Sequence, residues 1–320
     1  MTDNTPRFDH PVPLNGYHWW YLDGSSDDGA HALTVIAFVG SVFSPYYAAA
    51  RRRGSADPGD YCAINVALYG KGGKRWALTE RDAGATRRET RHFAAGPSSL
   101  RWTGEYLEIE VDEITVPLPS RLRGRIRVHP LARGPAAIAL DPAGHHHWQP
   151  LFPRARVELD FERPRLRWQG SGYMDSNRGS EPLESGFRGW HWSRAPLSGN
   201  RCAVLYDTTL ASGEARSMGL LINSDGDMST LEAPAPSALP PTPVWRIARE
   251  TRSEAGVRPT VHHTAEDTPF YARSLLRTRL AGEEVTAFHE SLSLRRFASR
   301  WVQCLLPFRM PRRRSPTPSA

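Results

Sequence analysis

The sequence has little cysteine and no long apolar segment. Its 320 residues contain three cysteines, Cys62, Cys202 and Cys304, which are widely separated. Such a set excludes a disulfide framework and a structural zinc site, and it predicts reduced thiols in a cytosolic protein. The longest apolar run, about residues 32–43, is far shorter than the roughly 20 residues that a membrane-spanning helix needs.

Motifs for common cofactors and for secretion are also missing. The chain contains no G-x-G-x-x-G after a strand, no P-loop, no G-x-S-x-G and no H-E-x-x-H. Residues 1–11 are polar and include no basic start followed by an apolar core, so we expect no secretory signal.

Helical periodicity is rare, and short apolar segments bounded by Gly, Pro, Asp and Ser recur instead. This pattern is typical of an all-β fold, and the length fits two β units, predicted at residues 1–180 and 181–320. Residues 271–280 are favoured as a strand, and the proline-rich residues 234–241 are predicted to be irregular. The other predicted strands are 32–39, 61–68, 106–111, 125–128, 156–161, 165–169, 202–208 and 218–223.

Positive charge is in excess, with a formal net charge of +7. Such a surface suits nucleic acid or anionic lipid. The basic residues 312–314 follow an apolar and aromatic stretch, residues 301–308. This combination favours an interfacial membrane anchor over a nucleic-acid arm, and a solvated, frayed tail is the alternative. We therefore expect an anionic membrane surface as a partner, and no nucleic acid.

Aromatic and ionisable side chains concentrate in three short segments. These are residues 144–148 (GHHHW), 172–177 (GYMDSN) and 189–194 (GWHWSR). Tryptophan and tyrosine faces stabilise cations, and a carboxyl group held among them is a candidate proton donor with a raised pKa. The combination suits chemistry that forms a carbocation.

Two of these segments allow alternative interpretations. Tyr173 and Asp175 would face the same side of a strand, where a protonated aspartate could donate to an alkene carbon; alternatively, Asp175 caps a turn. His145 and His147 could ligate a metal from one strand face, although no cysteine or carboxylate spacing nearby supports this. A surface loop, or a His–Trp pair in an apolar pocket, would also explain the histidines.

The N-terminal block, residues 16–24, contains further large aromatic side chains. On a strand, Tyr17, Trp19 and Tyr21 point to the same side, where they would line a pocket or fill a core. Asp23 and the polar residues 25–29 that follow are predicted to form a turn without a catalytic role.

Taken together, these blocks resemble the carotenoid 1,2-hydratases, also called hydroxyneurosporene synthases, of purple phototrophic bacteria. The resemblance extends over roughly residues 15–295 and implies a pair of lipocalin-like antiparallel β-barrel domains packed together. The blocks that carry it are residues 16–28, 36–47, the His-His-Trp segment at 146–148, 172–177 and 190–194.

The family's catalytic His-x-Trp and Tyr-x-Asp pairs fall on His146, Trp148, Tyr173 and Asp175. The flanking His145 and His147 are alternatives to His146. The resemblance implies a hydro-lyase without metal or cofactor that hydrates acyclic carotenes such as neurosporene and lycopene. Asp175 would protonate C2, Trp148 and Tyr173 would stabilise the C1 cation, and His146 would orient the water or accept its proton. The residues expected to contact the substrate are Trp19, Tyr21, Trp190, His191 and Trp192.

A long carotene is nearly insoluble in water, so we expect a cytoplasmic protein associated peripherally with the inner or intracytoplasmic membrane. Two competing functions are a non-catalytic lipocalin-like carrier of a hydrophobic ligand and a metal-dependent hydrolase built on the three histidines.

Overall fold

The structure, a computed structural model, describes residues 5–315 and is nearly all β. Short helices are α1 (Pro45–Arg53), α2 (Leu183–Gly186), α3 (Leu294–Phe297) and α4 (Arg300–Leu305), with 3-10 turns at Pro58–Asp60, Ala83–Ala85 and Leu306–Phe308. The strands are β1 (Tyr17–Ser26), β2 (His31–Val39), β3 (Ala63–Gly70), β4 (Arg75–Ala77), β5 (Glu80–Arg81), β6 (Thr86–Glu89), β7 (His92–Ala95), β8 (Ser98–Trp102), β9 (Leu107–Ile114), β10 (Arg121–Ala132), β11 (Ile138–Ala139), β12 (His146–Arg163), β13 (Leu166–Gly179), β14 (Phe187–Pro196), β15 (Cys202–Leu210), β16 (Ala215–Ile222), β17 (Met228–Thr230), β18 (Pro236–Leu239), β19 (Arg249–Arg252), β20 (Thr260–Asp267), β21 (Tyr271–Leu280), β22 (Glu283–Ser293) and β23 (Arg312–Arg313).

The chain forms two compact units. One contains the residues before Glu184 together with those from Cys304 onward, and the other is Glu184–Gln303. The sequence-based division at residues 180 and 181 assigned the whole C-terminal segment to the second domain. In the structure, β23 instead pairs in parallel with β5, Arg312 forms an ion pair with Glu80, and the Ser315 hydroxyl donates a hydrogen bond to Asp82.

The first unit is built on a 12-stranded antiparallel sheet. Its strand order is β4-β3-β2-β1-β13-β12-β10-β9-β8-β7-β6, and β11 pairs with β12 off this path. The strand β1 therefore lies between β2, which follows it directly in the chain, and β13, which is far from β1 in sequence. Because side chains alternate along a strand, β1 directs Trp20 and Leu22 into an apolar core with Met174 and Phe152. The other face of β1 carries Trp19 and Tyr21.

The second unit contains a seven-stranded sheet with the order β17-β16-β15-β14-β22-β21-β20, and β18 pairs with β19. Its core includes Ala195, Leu205, Leu276 and Leu280. In the described part of the chain, no helix is both long enough and apolar enough to cross a bilayer.

The predicted all-β class is confirmed, and most of the predicted strands are present. Residues 32–39 lie in β2, 202–208 in β15 and 271–280 in β21. The prediction that residues 234–241 are irregular is wrong in part, because Pro236–Leu239 forms β18. This strand belongs to a two-stranded sheet and so has a free edge, a position at which proline is tolerated.

Candidate active site

Three neighbouring strands, β1, β13 and β12, bring the candidate catalytic side chains to one face of the sheet. The register pairs Tyr21 with Asp175 and Asp23 with Tyr173. Residues that are opposite each other on adjacent strands face the same side, as do residues two apart on one strand. Trp148 joins this face because β12 pairs it with Asn177, two residues after Asp175.

Asp175 is held by two hydrogen-bond donors that meet at one carboxyl oxygen. The Trp148 indole Nε1–H donates to Asp175 Oδ2 at 2.8 Å, and the Tyr173 hydroxyl donates to the same atom at 3.0 Å. Asp175 is 3% exposed, and the other two side chains are fully buried. The alternative of a turn-capping aspartate is wrong, because Asp175 lies within β13.

The surroundings of Asp175 act on its two charge states in opposite ways. Burial favours the neutral acid, whereas the indole and phenol donors stabilise the carboxylate that remains after a proton has left. With both donors directed at Oδ2, a proton carried by this group would reside on Oδ1. The arrangement suits an acid that releases its proton inside an apolar layer.

His146 is the buried member of the three histidines. Its Nδ1 lies 2.8 Å from the Tyr17 hydroxyl, its Nε2 lies 3.2 Å from Glu181 Oε1, and its backbone N–H donates to Asp141 at 2.7 Å. Burial lowers the pKa of His146 from 6.5, although Glu181 opposes the shift, so the ring is neutral near pH 7. Gly179 makes this contact possible, since a Cβ there would lie 2.4 Å from the Tyr17 ring.

The other two histidines are placed differently. His145 precedes β12 and its side chain is half exposed, whereas His147 lies on the face of β12 opposite to His146. Only His146 shares a face with Trp148, two residues later. Within residues 5–315, no group of three or more His, Cys, Asp or Glu side chains is arranged to hold a metal ion.

Aromatic rings extend this face along β1. Tyr17 stacks on Trp19 with ring centroids 4.9 Å apart, and Trp19 lies 6.4 Å from Phe38. Tyr21 meets the Tyr173 ring edge-on at 6.4 Å. Trp19 and Tyr21, both predicted to contact the substrate, thus lie on the face that carries Asp175.

Asp23 corrects one of the sequence-based predictions. It is not a turn residue: β1 continues to Ser26, and Asp23 is fully buried with Oδ2 accepting a hydrogen bond from the Tyr21 hydroxyl at 2.9 Å. The sequence contains a signal that the prediction missed, because Tyr21-x-Asp23 repeats the spacing of Tyr173-x-Asp175. Tyr17, Asp141 and Glu181 were likewise not among the predicted site residues.

The remaining predicted substrate residues, Trp190, His191 and Trp192, lie on β14 of the second unit. Both tryptophans are buried, and His191 Nδ1 is 2.9 Å from the Ser291 hydroxyl. Their part in substrate binding stays a prediction.

A charged cleft of about 250 Å³ lies elsewhere on the first unit's sheet. It is lined by Arg125, Arg127, Glu158, Asp160 and Arg167, among others. Its charged lining does not suit an apolar hydrocarbon.

Comparison with known proteins identifies the family. A family model described as carotenoid hydratase CrtC matches residues 35–318. The chain belongs to this family. The acyclic carotenoid 1,2-hydratase of Thiocapsa roseopersicina is 56% identical over 307 residues, covering 96% of this chain and 76% of that protein. The acyclic carotenoid 1,2-hydratase of Rubrivivax gelatinosus is 49% identical over 310 residues, with the same coverage of 96% and 76%.

The family resemblance stated from the sequence is therefore confirmed. Among solved structures, a Nitrosomonas europaea protein assigned as AttH superimposes with a TM-score of 0.62 at 13% identity, over 92% of this chain and 98% of that chain. This similarity concerns the fold alone.

Proposed function

We propose that the chain is a carotenoid 1,2-hydratase that adds water across the terminal C1–C2 double bond of an acyclic carotene such as neurosporene or lycopene. The observation that carries the proposal is the buried carboxyl of Asp175, bonded by Trp148 and Tyr173 on an aromatic face of the sheet. Family membership and the activity for which the relatives are named support the same reaction.

The first step is proton transfer from Asp175. The π electrons of the double bond form a C2–H bond with the proton from Oδ1, and a tertiary cation remains at C1. The carboxylate left behind is stabilised by the hydrogen bonds from Trp148 and Tyr173. General acid catalysis of this kind contributes about 10²–10⁴-fold to the rate.

The second step is capture of the cation by water. The faces of Trp148 and Tyr173 stabilise the positive charge at C1, each cation–π contact contributing about 2 kcal/mol when desolvated. A lone pair of water then forms the C1–O bond, and the added water gives up a proton, which finally returns to the Asp175 carboxylate and restores the acid. The reaction transfers no electrons overall, and we propose that it needs no cofactor.

His146 orients the site in this mechanism. The Glu181 carboxylate only accepts hydrogen bonds, so His146 Nε2 carries the hydrogen and Nδ1 accepts from the Tyr17 hydroxyl. Both ring nitrogens are thereby engaged. Of the two predicted roles, orientation fits this geometry better than acceptance of a proton from water, and it acts through Tyr17 and the Trp19 ring stacked on it.

The finer architecture is part of the proposal. We propose that each of the two sheets forms a lipocalin-like β-barrel, and that Trp190, His191 and Trp192 contact the substrate. A sheet of 12 strands rarely stays open without curling, and this supports the proposal for the first unit.

We also propose that the protein works at an anionic membrane surface on the cytoplasmic side and does not bind nucleic acid. Trp301 and Leu305, four residues apart, share one face of α4 and are 49% and 40% exposed; Phe308, one turn further on, is 75% exposed. The arginines at 313 and 314 that follow are exposed as well. Apolar side chains beside basic ones suit the interface of an anionic bilayer.

The test is to incubate the purified chain with lycopene or neurosporene, without added cofactors, and to measure the mass of the pigment. The expected result is a product heavier by one water molecule. Pigment that binds and keeps its mass would identify a carrier instead, and activity that a chelator abolishes would identify a metal-dependent enzyme.

A further inference from the structure

Two Tyr-x-Asp pairs face each other across β1 and β13. The antiparallel register sets Tyr21 opposite Asp175 and Asp23 opposite Tyr173, so each aspartate lies beside the tyrosine of the other pair. Within each pair the tyrosine hydroxyl donates to its own aspartate, at 2.9 Å in β1 and at 3.0 Å in β13. The family's Tyr-x-Asp pair thus has a local counterpart on the neighbouring strand.

The two carboxyl groups share one buried layer, since Asp23 is 0% exposed and Asp175 is 3% exposed. They are diagonal neighbours, and such strand positions lie about 7–8 Å apart across an antiparallel pair, with the Cβ atoms somewhat closer. In enzymes where one carboxyl acts as acid and a second activates a water, the two groups are about 6.5–9.5 Å apart, which leaves room for that water. The register of β1 and β13 therefore places Asp23 and Asp175 at positions compatible with this spacing.

A second observation on the same face comes from β2. Thr34 is the partner of Asp23 in the register of β1 and β2, and it is 2% exposed. Its Oγ1 has no hydrogen-bond partner among the residues that the structure describes. A buried hydroxyl without a partner costs free energy unless a small polar molecule satisfies it, and a water beside Asp23 would do so.

The site needs a group that accepts a proton from the attacking water. The water that captures the C1 cation must release a proton, and both ring nitrogens of His146 are engaged by Tyr17 and Glu181. Asp175 has two donors on Oδ2 and serves as the acid. Asp23 is a second carboxyl on this face, on the strand next to Asp175.

We propose that Asp23 is a second catalytic carboxyl, which with Thr34 holds the attacking water and accepts its proton. This inference rests on the proposed function. The oxygen lone pair of water forms the C1–O bond, the electrons of one O–H bond stay on oxygen, and the proton moves to the Asp23 carboxylate. Asp175 then carries the negative charge, and a water entering between the two carboxyls returns the proton from Asp23 to Asp175.

The experiment compares hydration with proton exchange in deuterated water. In Asp23→Asn, Asp175 still delivers a deuteron to C2, but the cation lacks a base for water capture and loses a C2 proton back to Asp175. We expect hydration to fall by about 10²–10⁴-fold, while recovered lycopene gains deuterium. Asp175→Asn should lose both hydration and exchange.

Two further variants complete the test. Thr34→Val removes only the hydroxyl and should lower hydration by about tenfold, roughly the effect of one hydrogen bond, while also keeping exchange. Asp27→Asn is the matched control, because Asp27 is exposed, pairs with Arg156 and should leave both readouts unchanged. Folding of each variant is checked by circular dichroism. If Asp23→Asn does not fold, hydration and exchange in Thr34→Val test the inference instead.

The outcomes separate the inference from the function on which it depends. If the wild-type chain adds no water to an acyclic carotene, the proposed function itself is wrong. A wild-type chain that hydrates, with Asp23→Asn and Thr34→Val both within about threefold of it, overturns only the role of Asp23. Loss of exchange together with hydration in Asp23→Asn would also overturn it, because Asp23 would then act before the cation forms.

Discussion

The indole Nε1–H of Trp148 on β12 donates a hydrogen bond to Asp175 Oδ2 on the adjacent strand β13, at 2.8 Å. The two side chains are both buried, so this bond lies in a medium of low dielectric constant. In such a medium it becomes a strong, charge-assisted bond once Asp175 has given up its proton. It links the aromatic side chain that would face the cation to the acid that would create it.

Replacing the acid should remove hydration while the aromatic face remains. Asp175→Asn keeps the shape of the side chain. We expect it to lower the rate of water addition to lycopene by about 10²–10⁴-fold or more. The product is measured by mass spectrometry of the extracted pigment. Asp27→Asn, at an exposed position, is the control, and near wild-type turnover in Asp175→Asn would remove this residue from the role of acid.

Trp148→Phe tests the indole donor separately from the aromatic ring. Hydrogen bonds to charged groups contribute about 1.5–3 kcal/mol, so loss of this one should lower kcat by roughly 10–150-fold. Trp102→Phe is a matched control, because Trp102 is also buried in the first unit but packs in its apolar core. Equal losses of activity in the two variants would indicate that Trp148 acts only through packing.

How much of this site was predictable can be judged from Asp175 and Asp23. The sequence identifies Asp175 through the family resemblance, because the Tyr-x-Asp and His-x-Trp pairs are short local spacings; the residues alone left a turn-capping role open. Asp23 was missed because the polar residues after it resemble a turn, although β1 extends to Ser26. Its significance depends on the pairing of β1 with β13, about 150 residues later, and such long-range register is set by packing of the whole sheet.

The same distinction applies to the fold. Alternating apolar and polar residues predicted the strand at 156–161, which lies in β12, because that pattern follows the local period of two. The path of the C-terminal segment was not predictable in this way. Arg312 pairs with Glu80 and its guanidinium lies 4.5 Å from the Tyr61 ring centroid, and neither partner is near it in sequence. Up to Ser315 the C-terminal segment is therefore not a frayed tail, and that alternative is wrong for these residues.

A buried histidine of the second unit predicts that stability depends on pH. Burial lowers the pKa of His289 from 6.5 to about 3, and His289 Nε2 lies 2.7 Å from the Glu250 carbonyl oxygen. The unfolded chain therefore binds a proton between pH 6.5 and about pH 3 where the folded chain does not, so stability falls as the pH drops through this window. We expect the free energy of unfolding, measured with urea at successive pH values, to decrease below pH 6.5.

His289→Gln keeps an N–H donor for the Glu250 carbonyl but removes the titration. Its free energy of unfolding should therefore depend less steeply on pH than that of the wild-type chain. If the free energies of unfolding of the variant and of the wild-type chain fall in parallel as the pH drops, His289 is not the group responsible for the pH dependence. The comparison uses slopes, so a constant loss of stability from the substitution does not affect it.

The exposed aromatic residue next to the basic tail makes membrane binding testable by point substitution. Deleting residues 301–320 would also remove the buried Val302 and Met310, so a deletion would mix binding with stability. Phe308→Ser changes a side chain that is 75% exposed and should leave the fold intact. Since burying an aromatic side chain is worth about 1.5–3 kcal/mol, we expect co-sedimentation with anionic liposomes to weaken by roughly tenfold or more.

Leu118→Ser is the matched control for this experiment. Leu118 is 81% exposed and lies in the connection between β9 and β10, away in sequence from the basic residues. Binding of the wild-type chain should also fall as salt is raised, because exposed arginines attract anionic lipid through a screened field. Unchanged co-sedimentation in Phe308→Ser, or an equal loss in Leu118→Ser, would contradict the proposed membrane surface.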